Sequence, residues 1–288
     1  MSFKKIVAPL TGADDDRAAL AAAFVVARPF CGHVVALFVT PDPAEAVPFV
    51  GMPISPEVVQ QVIESAGVIA RTALAAASAN LKTAAKAAGV AIVESPALAG
   101  TVTCSFCEMQ GSFVSGIAEA AKRADLLVFG PATTEGGPDV SGAVIETLTR
   151  GTRPLLLTPH ASVVDLLPKI VIGWDGGNAA AHALTASLPL LARAGSVEIW
   201  SVQPVPEDSA MLDAPAAYLR LHGIAANTRV IDPAGAAPGV VLLREAEAAG
   251  ASLLVLGGYG HSRLSETLFG GTTVHIAAHA TIPLFMVH

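Results

Sequence analysis

The residues best suited to chemistry form one stretch, Leu253-Leu254-Val255-Leu256-Gly257-Gly258-Tyr259-Gly260-His261-Ser262-Arg263, followed by Gly270-Gly271-Thr272-Thr273. An apolar run that stops at Gly257, a Gly257-x2-Gly260 step, nine residues and a Gly-Gly-Thr-Thr opening a helix together read as a strand feeding a phosphate cradle. Glycine lets the backbone turn with positive φ and brings its N–H groups against an anion. The helix N-terminus that follows adds unpaired N–H groups and the positive end of a dipole. Tyr259 and His261 fall inside the cradle. One glycine pair would mean little in a chain with 26 glycines, since most glycines serve turns; strand, interval and hydroxyl residues in register make the signal. The chemistry is nucleotide binding.

A second group of candidates lies in Val171-Ile172-Gly173-Trp174-Asp175-Gly176-Gly177. An acid just past the end of a central strand can accept hydrogen bonds from ribose hydroxyls or an adenine amine. Asp followed by Gly-Gly-Asn-Ala-Ala-Ala is equally how a helix is capped. The indole of Trp174 either stacks near the base or fills the core, the commoner fate of a lone Trp.

The Gly257-x2-Gly260-x9-Gly270 spacing resembles the C-terminal signature of the universal stress protein family, Gly-x2-Gly-x9-Gly-(Ser/Thr). The chain departs from it once: Gly271 stands where the family has a hydroxyl residue, and Thr272 and Thr273 follow. The backbone part of the cradle survives that change, while the hydroxyl contact to the terminal phosphate is the part affected. The resemblance implies ATP or a related adenine nucleotide, with Mg2+ as an accompanying ion. By carry-over, Asp175 stands against the nucleoside, Val202 packs on the adenine, and Leu256 and Gly257 line its base side. It also implies a stress-response or signalling role, a switch more than a catalyst, with a homodimer or protein partner left open. No acid or base near the cradle is placed to activate water, and His261 is the nearest imidazole, so hydrolysis is expected to be slow or absent.

The elements that would position these residues occur twice. Lys5-Ile6-Val7-Ala8-Pro9 matches Lys169-Ile170-Val171-Ile172-Gly173. The run Ala124–Gly130 matches Ala251–Gly257, and Arg153–Leu157 matches Thr281–Val287. A repeat this long is a duplicated domain rather than a solenoid, which predicts domains at 1–160 and 165–288. Short apolar runs alternate with alanine-rich stretches, as in a parallel sheet covered by helices.

In the second half the pattern predicts strands at 169–174, 197–202, 226–231, 251–257 and 283–287, and helices near 178–193, 209–222, 237–249 and 271–280. In the first half it predicts strands at 3–9, 33–39, 90–95, 125–130 and 154–158, and a long helix over 56–88. Five strands and four helices per half suit two tandem flavodoxin-like or Rossmann-like domains, similar to adenine nucleotide alpha hydrolases, with the ligand crevice beyond the carboxyl ends of the strands. The resemblance covers nearly the whole chain as a tandem universal stress protein, strongly over 169–288 and weakly over 1–160. In the family the last strands of the two domains pair, which here would join Leu155-Leu156-Leu157 to Leu284-Phe285-Met286-Val287 and hide two apolar edges.

The first half lacks the binding chemistry. Pro131 removes an amide after its fourth strand, Thr133 replaces the second cradle glycine, and Thr11 stands where the second half has Asp175. Asp14, Asp15 and Asp16 read as helix cap and first-turn charges that offset the dipole.

A net charge of −7 without a basic run argues against nucleic acid. Mean hydropathy is positive, yet no uninterrupted apolar run reaches the ~18 residues of a spanning helix, so no membrane insertion is expected. Met1 to Lys5 enter a strand without a secretory h-region, which points to the cytoplasm. Three cysteines exclude a disulfide scaffold. Cys104 and Cys107 read as an incidental pair rather than a redox or metal motif. His275 and His279 read as helix-end residues rather than ligands.

Two other classes fit less well. Ligases and pyrophosphatases of the wider adenine-nucleotide superfamily carry a Ser-Gly-Gly-x-Asp-Ser loop, and Trp174-Asp175-Gly176-Gly177-Asn178 has neither serine. A nucleotide-independent module for a hydrophobic ligand or partner would use the loop Pro41–Pro56, with Val47, Phe49, Val50 and Met52, which equally suits a lid packed on its own domain.

Overall fold

The computed structural model describes residues 2–47, 55–96, 100–131, 138–150, 153–161, 163–203, 209–258 and 279–288. The first half runs β1 (Lys5–Leu10), α1 (Asp16–Ala27), β2 (His33–Thr40), α2 (Pro56–Ala88), β3 (Ala91–Ile92), β4 (Thr103–Gln110), α3 (Phe113–Ala121), β5 (Leu126–Phe129), α4 (Val140–Thr149) and β6 (Leu155–Leu157). The second runs β7 (Ile170–Gly173), α5 (Asn178–Leu191), β8 (Val197–Val202), α6 (Asp213–Leu221), β9 (Asn227–Ile231), α7 (Pro238–Ala248), β10 (Leu253–Gly257) and β11 (Leu284–Val287).

These strands form one sheet in the order β3-β4-β2-β1-β5-β6-β11-β10-β7-β8-β9. Every described neighbour pair is parallel except β6 with β11. There Leu284 faces Leu157, Phe285 faces Leu156 and Met286 faces Leu155, the pairing that the resemblance implies. Strand side chains alternate between two cores. Ile6, Leu10, Ile172 and Phe285 pack under α1, α2, α5 and α6, and Val7, Leu254, Leu284 and Met286 pack under α3, α4 and α7. The fold is a mixed α/β sheet with helices on both faces, Rossmann-like as expected.

The described elements of the second half fall close to their predicted positions, and β7, β10 and β11 are apolar runs buried on both faces that leave little ambiguity. The first half differs. The strand expected at 90–95 is only Ala91–Ile92, exposed and at the sheet edge. Its place beside β2 is taken by β4, which pairs with β2 from Thr103 to Gln110. The first half therefore carries six described strands, not five.

Helix α2 matches the expected 56–88. Ser55 caps it through Oγ, Pro56 opens it, and Gly89 closes it with φ of 65°, the usual start and stop chemistry. Among the described helices it alone is long and apolar enough to cross a bilayer, although no unbroken apolar run marks it. Charged residues interrupt it, and Ala77, Leu81, Ala84 and Ala85 pack into the core shared with α1.

Candidate functional site

The carboxyl ends of β10, β7 and β8 lie side by side. From β7 the chain steps outward to β8 and β9, then returns to set β10 on the other side of β7. Such a reversal opens a crevice beyond the strand ends. Gly173 ends β7, Trp174 and Asp175 begin the loop after it, Val202 ends β8, and Leu256 and Gly257 end β10. The fold thus gathers these six expected site residues along one edge of the sheet. Tyr259, Gly260, His261, Gly270, Gly271, Thr272 and Thr273 lie outside the described residues, as do His275 and most of the helix expected at 271–280.

Packing rather than a left-handed backbone requires glycine at 257. Its φ is not positive. A Cβ there would stand 2.5 Å from the carbonyl carbon of Ala179 and 2.5 Å from the amide nitrogen of Ala180. Glycine is needed because the first turn of α5 presses directly on β10. That contact brings the N-terminus of α5, with its unpaired N–H groups, to the crevice. A Cβ at Gly173 would meet Leu242 and Leu256 side chains at 2.5 and 2.9 Å, a milder conflict because side chains can shift. The left-handed turn falls instead at Gly176, with φ of 79°.

Asp175 is exposed and is not the helix cap. Its Oδ1 accepts the Gly177 N–H at 2.8 Å, while Gly177 itself occupies the cap position of α5 without a side-chain bond. The carboxylate thus closes a short turn just past β7, as Asp does in Asx-turns. Trp174 continues the ladder by donating its backbone N–H to the Trp200 carbonyl at 2.8 Å, and its half-buried side chain packs on the core beneath α5 and α6. Val202 is half-buried on the opposite face, against the core beneath α7.

The corresponding place in the first half is filled. Asp16, taken from sequence as a first-turn charge, is 4% exposed. Its Oδ1 accepts the Thr11 N–H at 2.9 Å and the Thr11 hydroxyl at 3.0 Å, and its Oδ2 accepts the Gly12 N–H at 2.8 Å. The amides that could face an anion after β1 are spent on the protein's own carboxylate. Helix α2 closes over the same loop: Asn80 donates to the Ala13 carbonyl at 2.8 Å, and a Cβ on Gly12 would lie 2.6 Å from the Ala73 carbonyl oxygen. A cavity of about 20 Å³ remains between Thr11, Asp16, Phe129 and Pro131, room for roughly one water. Thr133 lies outside the described residues. A Thr-Gly pair directly after a strand, with an acid four residues on, is the sequence signal for this closed loop.

Cys104 and Cys107 share β4, so their odd spacing points them to opposite faces. Cys104 is fully buried, and burial pushes its thiol up to about 11. Among the described residues no three His, Cys, Asp or Glu side chains gather as a metal site. Of the alternative apolar loop, Val47 is described, whereas Phe49, Val50 and Met52 are not.

The model of the Universal stress protein family matches residues 167–288. No curated protein matches the chain. A universal stress protein from Archaeoglobus fulgidus DSM 4304 has a similar structure over 98% of this chain and 97% of its own, with 16% identity and a TM-score of 0.68. A functionally unknown protein from Pseudomonas aeruginosa PAO1 is similar over 99% of this chain and 92% of its own, with 13% identity and a TM-score of 0.61. A universal stress protein solved in complex with cAMP is similar over 43% of this chain and 98% of its own, with 22% identity and a TM-score of 0.37.

Proposed function

We propose that residues 165–288 form a domain that binds ATP or a related adenine nucleotide, and that residues 1–160 are a degenerate copy of it that binds none. The observation that carries this reading is the Gly257-x2-Gly260-x9-Gly270 spacing, which begins at the end of β10, beside the reversal of strand order. The packing of α5 on Gly257 supports it, since an anion at the crevice would meet a helix N-terminus. In the first half, a buried carboxylate on the loop amides and about 20 Å³ of room oppose a phosphate. Asp175, Val202 and Leu256 are the residues we assign to the nucleoside. Mg2+ would accompany the phosphates. The role is that of a stress-response or signalling switch, as the match to the Universal stress protein family supports.

Calorimetry of the full chain with ATP, ADP, AMP and cAMP tests this reading. One equivalent of at least one adenine nucleotide is expected, with binding lost in Gly260→Val and kept in Thr133→Val. Two equivalents, loss through Thr133, or no binding by a chain whose melting curve shows it folded would overturn it.

A further inference from the structure

At the amino end of the first-half sheet, far along the strands from the β1 loop, three polar side chains are buried in a row. His33 on β2 is 8% exposed, and Thr103 and Ser105 on β4 are 7% and 8% exposed. His33 Nδ1 lies 2.8 Å from Thr103 Oγ1, and its Nε2 lies 2.9 Å from Ser105 Oγ. The register explains the contact. Lys5, His33 and Thr103 stand abreast on β1, β2 and β4, and Val35 and Ser105 are abreast one pleat further on. His33 and Ser105 both line a pocket of about 540 Å³, shared with Lys4, Lys5 and Cys107.

We propose that Ser105 and His33 form a nucleophile and general base, and that this pocket admits a small carboxylic ester. With its proton on Nδ1, donated to Thr103, the imidazole presents the Nε2 lone pair to the Ser105 hydroxyl. A serine beside a base that a third group orients is the general arrangement of an activated nucleophile. Burial first, and the nearby Lys5 charge second, hold the imidazole below its ordinary 6.5, so it is neutral and basic at pH 7. Ser105 Oγ adds to the ester carbonyl carbon while its proton passes to Nε2. The carbon–oxygen bond to the alcohol then breaks, and the departing alkoxide takes that proton. Water attacks the acyl-serine with His33 again receiving a proton. The carboxylic acid leaves, the proton returns to Ser105 Oγ, and the pair is restored. Negative charge on the tetrahedral oxygen develops in a pocket lined by Lys4 and Lys5.

The inference is independent of nucleotide binding, since it concerns the other half of the chain. The test treats the full chain with p-nitrophenyl acetate and with a fluorophosphonate, and maps the adduct by peptide mass spectrometry. We expect one acyl or phosphonyl group on Ser105, none in Ser105→Ala, and labelling about 100-fold slower in His33→Gln, the lower range for a lost general base. Unchanged circular dichroism controls for folding. If His33→Gln does not fold, the pH profile of wild-type labelling replaces it. The other titratable groups on this pocket are Lys4 and Lys5 from the start of β1, Cys31 from the turn before β2, Glu94 after β3 and Cys107 on β4. Carboxylate, thiol and ammonium groups ordinarily titrate outside pH 5–7, so a rate that rises with pH through a midpoint below 6.5 reports His33. No label on Ser105 in the folded wild type, an unchanged rate in His33→Gln, or a flat profile from pH 5 to 7 would overturn the proposal.

Discussion

Phe285 stands directly opposite Leu156 where β6 and β11 pair, and both side chains are fully buried. On this pair the two halves of the sheet become one. Burying a side chain of this size contributes about 1.5–3 kcal/mol, and an unpaired charge in its place would have no partner in the core. We expect Phe285→Asp or Leu156→Asp to expose the junction and aggregate, while Val47→Asp stays soluble. Sedimentation and melting curves of the three variants check this. A half expressed alone that remains a monomer of native-like stability would show that the junction does not hold the fold together.

Gly257→Ala tests the contact between α5 and β10. The added methyl would meet backbone at 2.5 Å on two atoms, and overpacking of this kind costs about 1–3 kcal/mol. The melting temperature should fall, and adenine-nucleotide affinity should weaken with it because α5 is pushed from the crevice. Gly258→Ala is the control, as the nearest described atoms to its Cβ would be Leu148 methyls at 3.4 and 3.5 Å and the Val287 carbonyl oxygen at 3.6 Å.

Asp16→Ala should destabilise the chain by about 1–3 kcal/mol for the donors it strands, since the Thr11 and Gly12 amides lose their acceptor. Denaturant melts measure this. Burial, only partly offset by those hydrogen bonds, raises the Asp16 carboxyl above its ordinary 3.8. The folded state therefore holds that proton more tightly than the unfolded state, and the linked stability, full below 3.8, is lost as pH rises through the raised value.

Acidification should weaken the fold through His33. Its folded pKa lies below 6.5, so from 6.5 downward the unfolded chain takes up a proton that the native chain refuses. Stability is full above 6.5 and falls until the pH passes the folded value. Glu198 acts lower. Burial pushes its carboxyl up, but the Lys169 ammonium and the Trp200 indole N–H outweigh this and hold it below 4.5. The drop in melting temperature just below pH 6.5 should flatten in His33→Gln while the steeper loss below 4.5 remains.

The second half was legible because strands such as Leu253–Gly257 are apolar throughout and bounded by glycine or proline. Strand β4 was hidden: Thr-Cys-Ser-Phe-Cys-Glu-Met-Gln mixes polar and apolar residues because its far half is only partly covered, and Ala91-Ile92 offered a better apolar signal nearby. Of the site, position was readable and cause was not. Gly257 sits where its motif puts it, but helix packing rather than a positive φ requires it. Whether Asp175 caps the helix or closes a turn depends on φ and ψ, which a run of Gly-Gly leaves open. The pairing of His33 with Ser105 depends on a register between strands that are distant in sequence, and no local pattern encodes it.

The junction also orders events during synthesis. Strand β6 has neighbours on both sides, β5 made shortly before it and β11 made after all the other described strands. While the ribosome works through the second half, Leu155–Leu157 can be satisfied on one side only. An apolar edge held open that long is a template for association with other chains. The nascent protein thus passes through a stage in which its first half is assembled but unsealed, and in which chaperones would find most to bind.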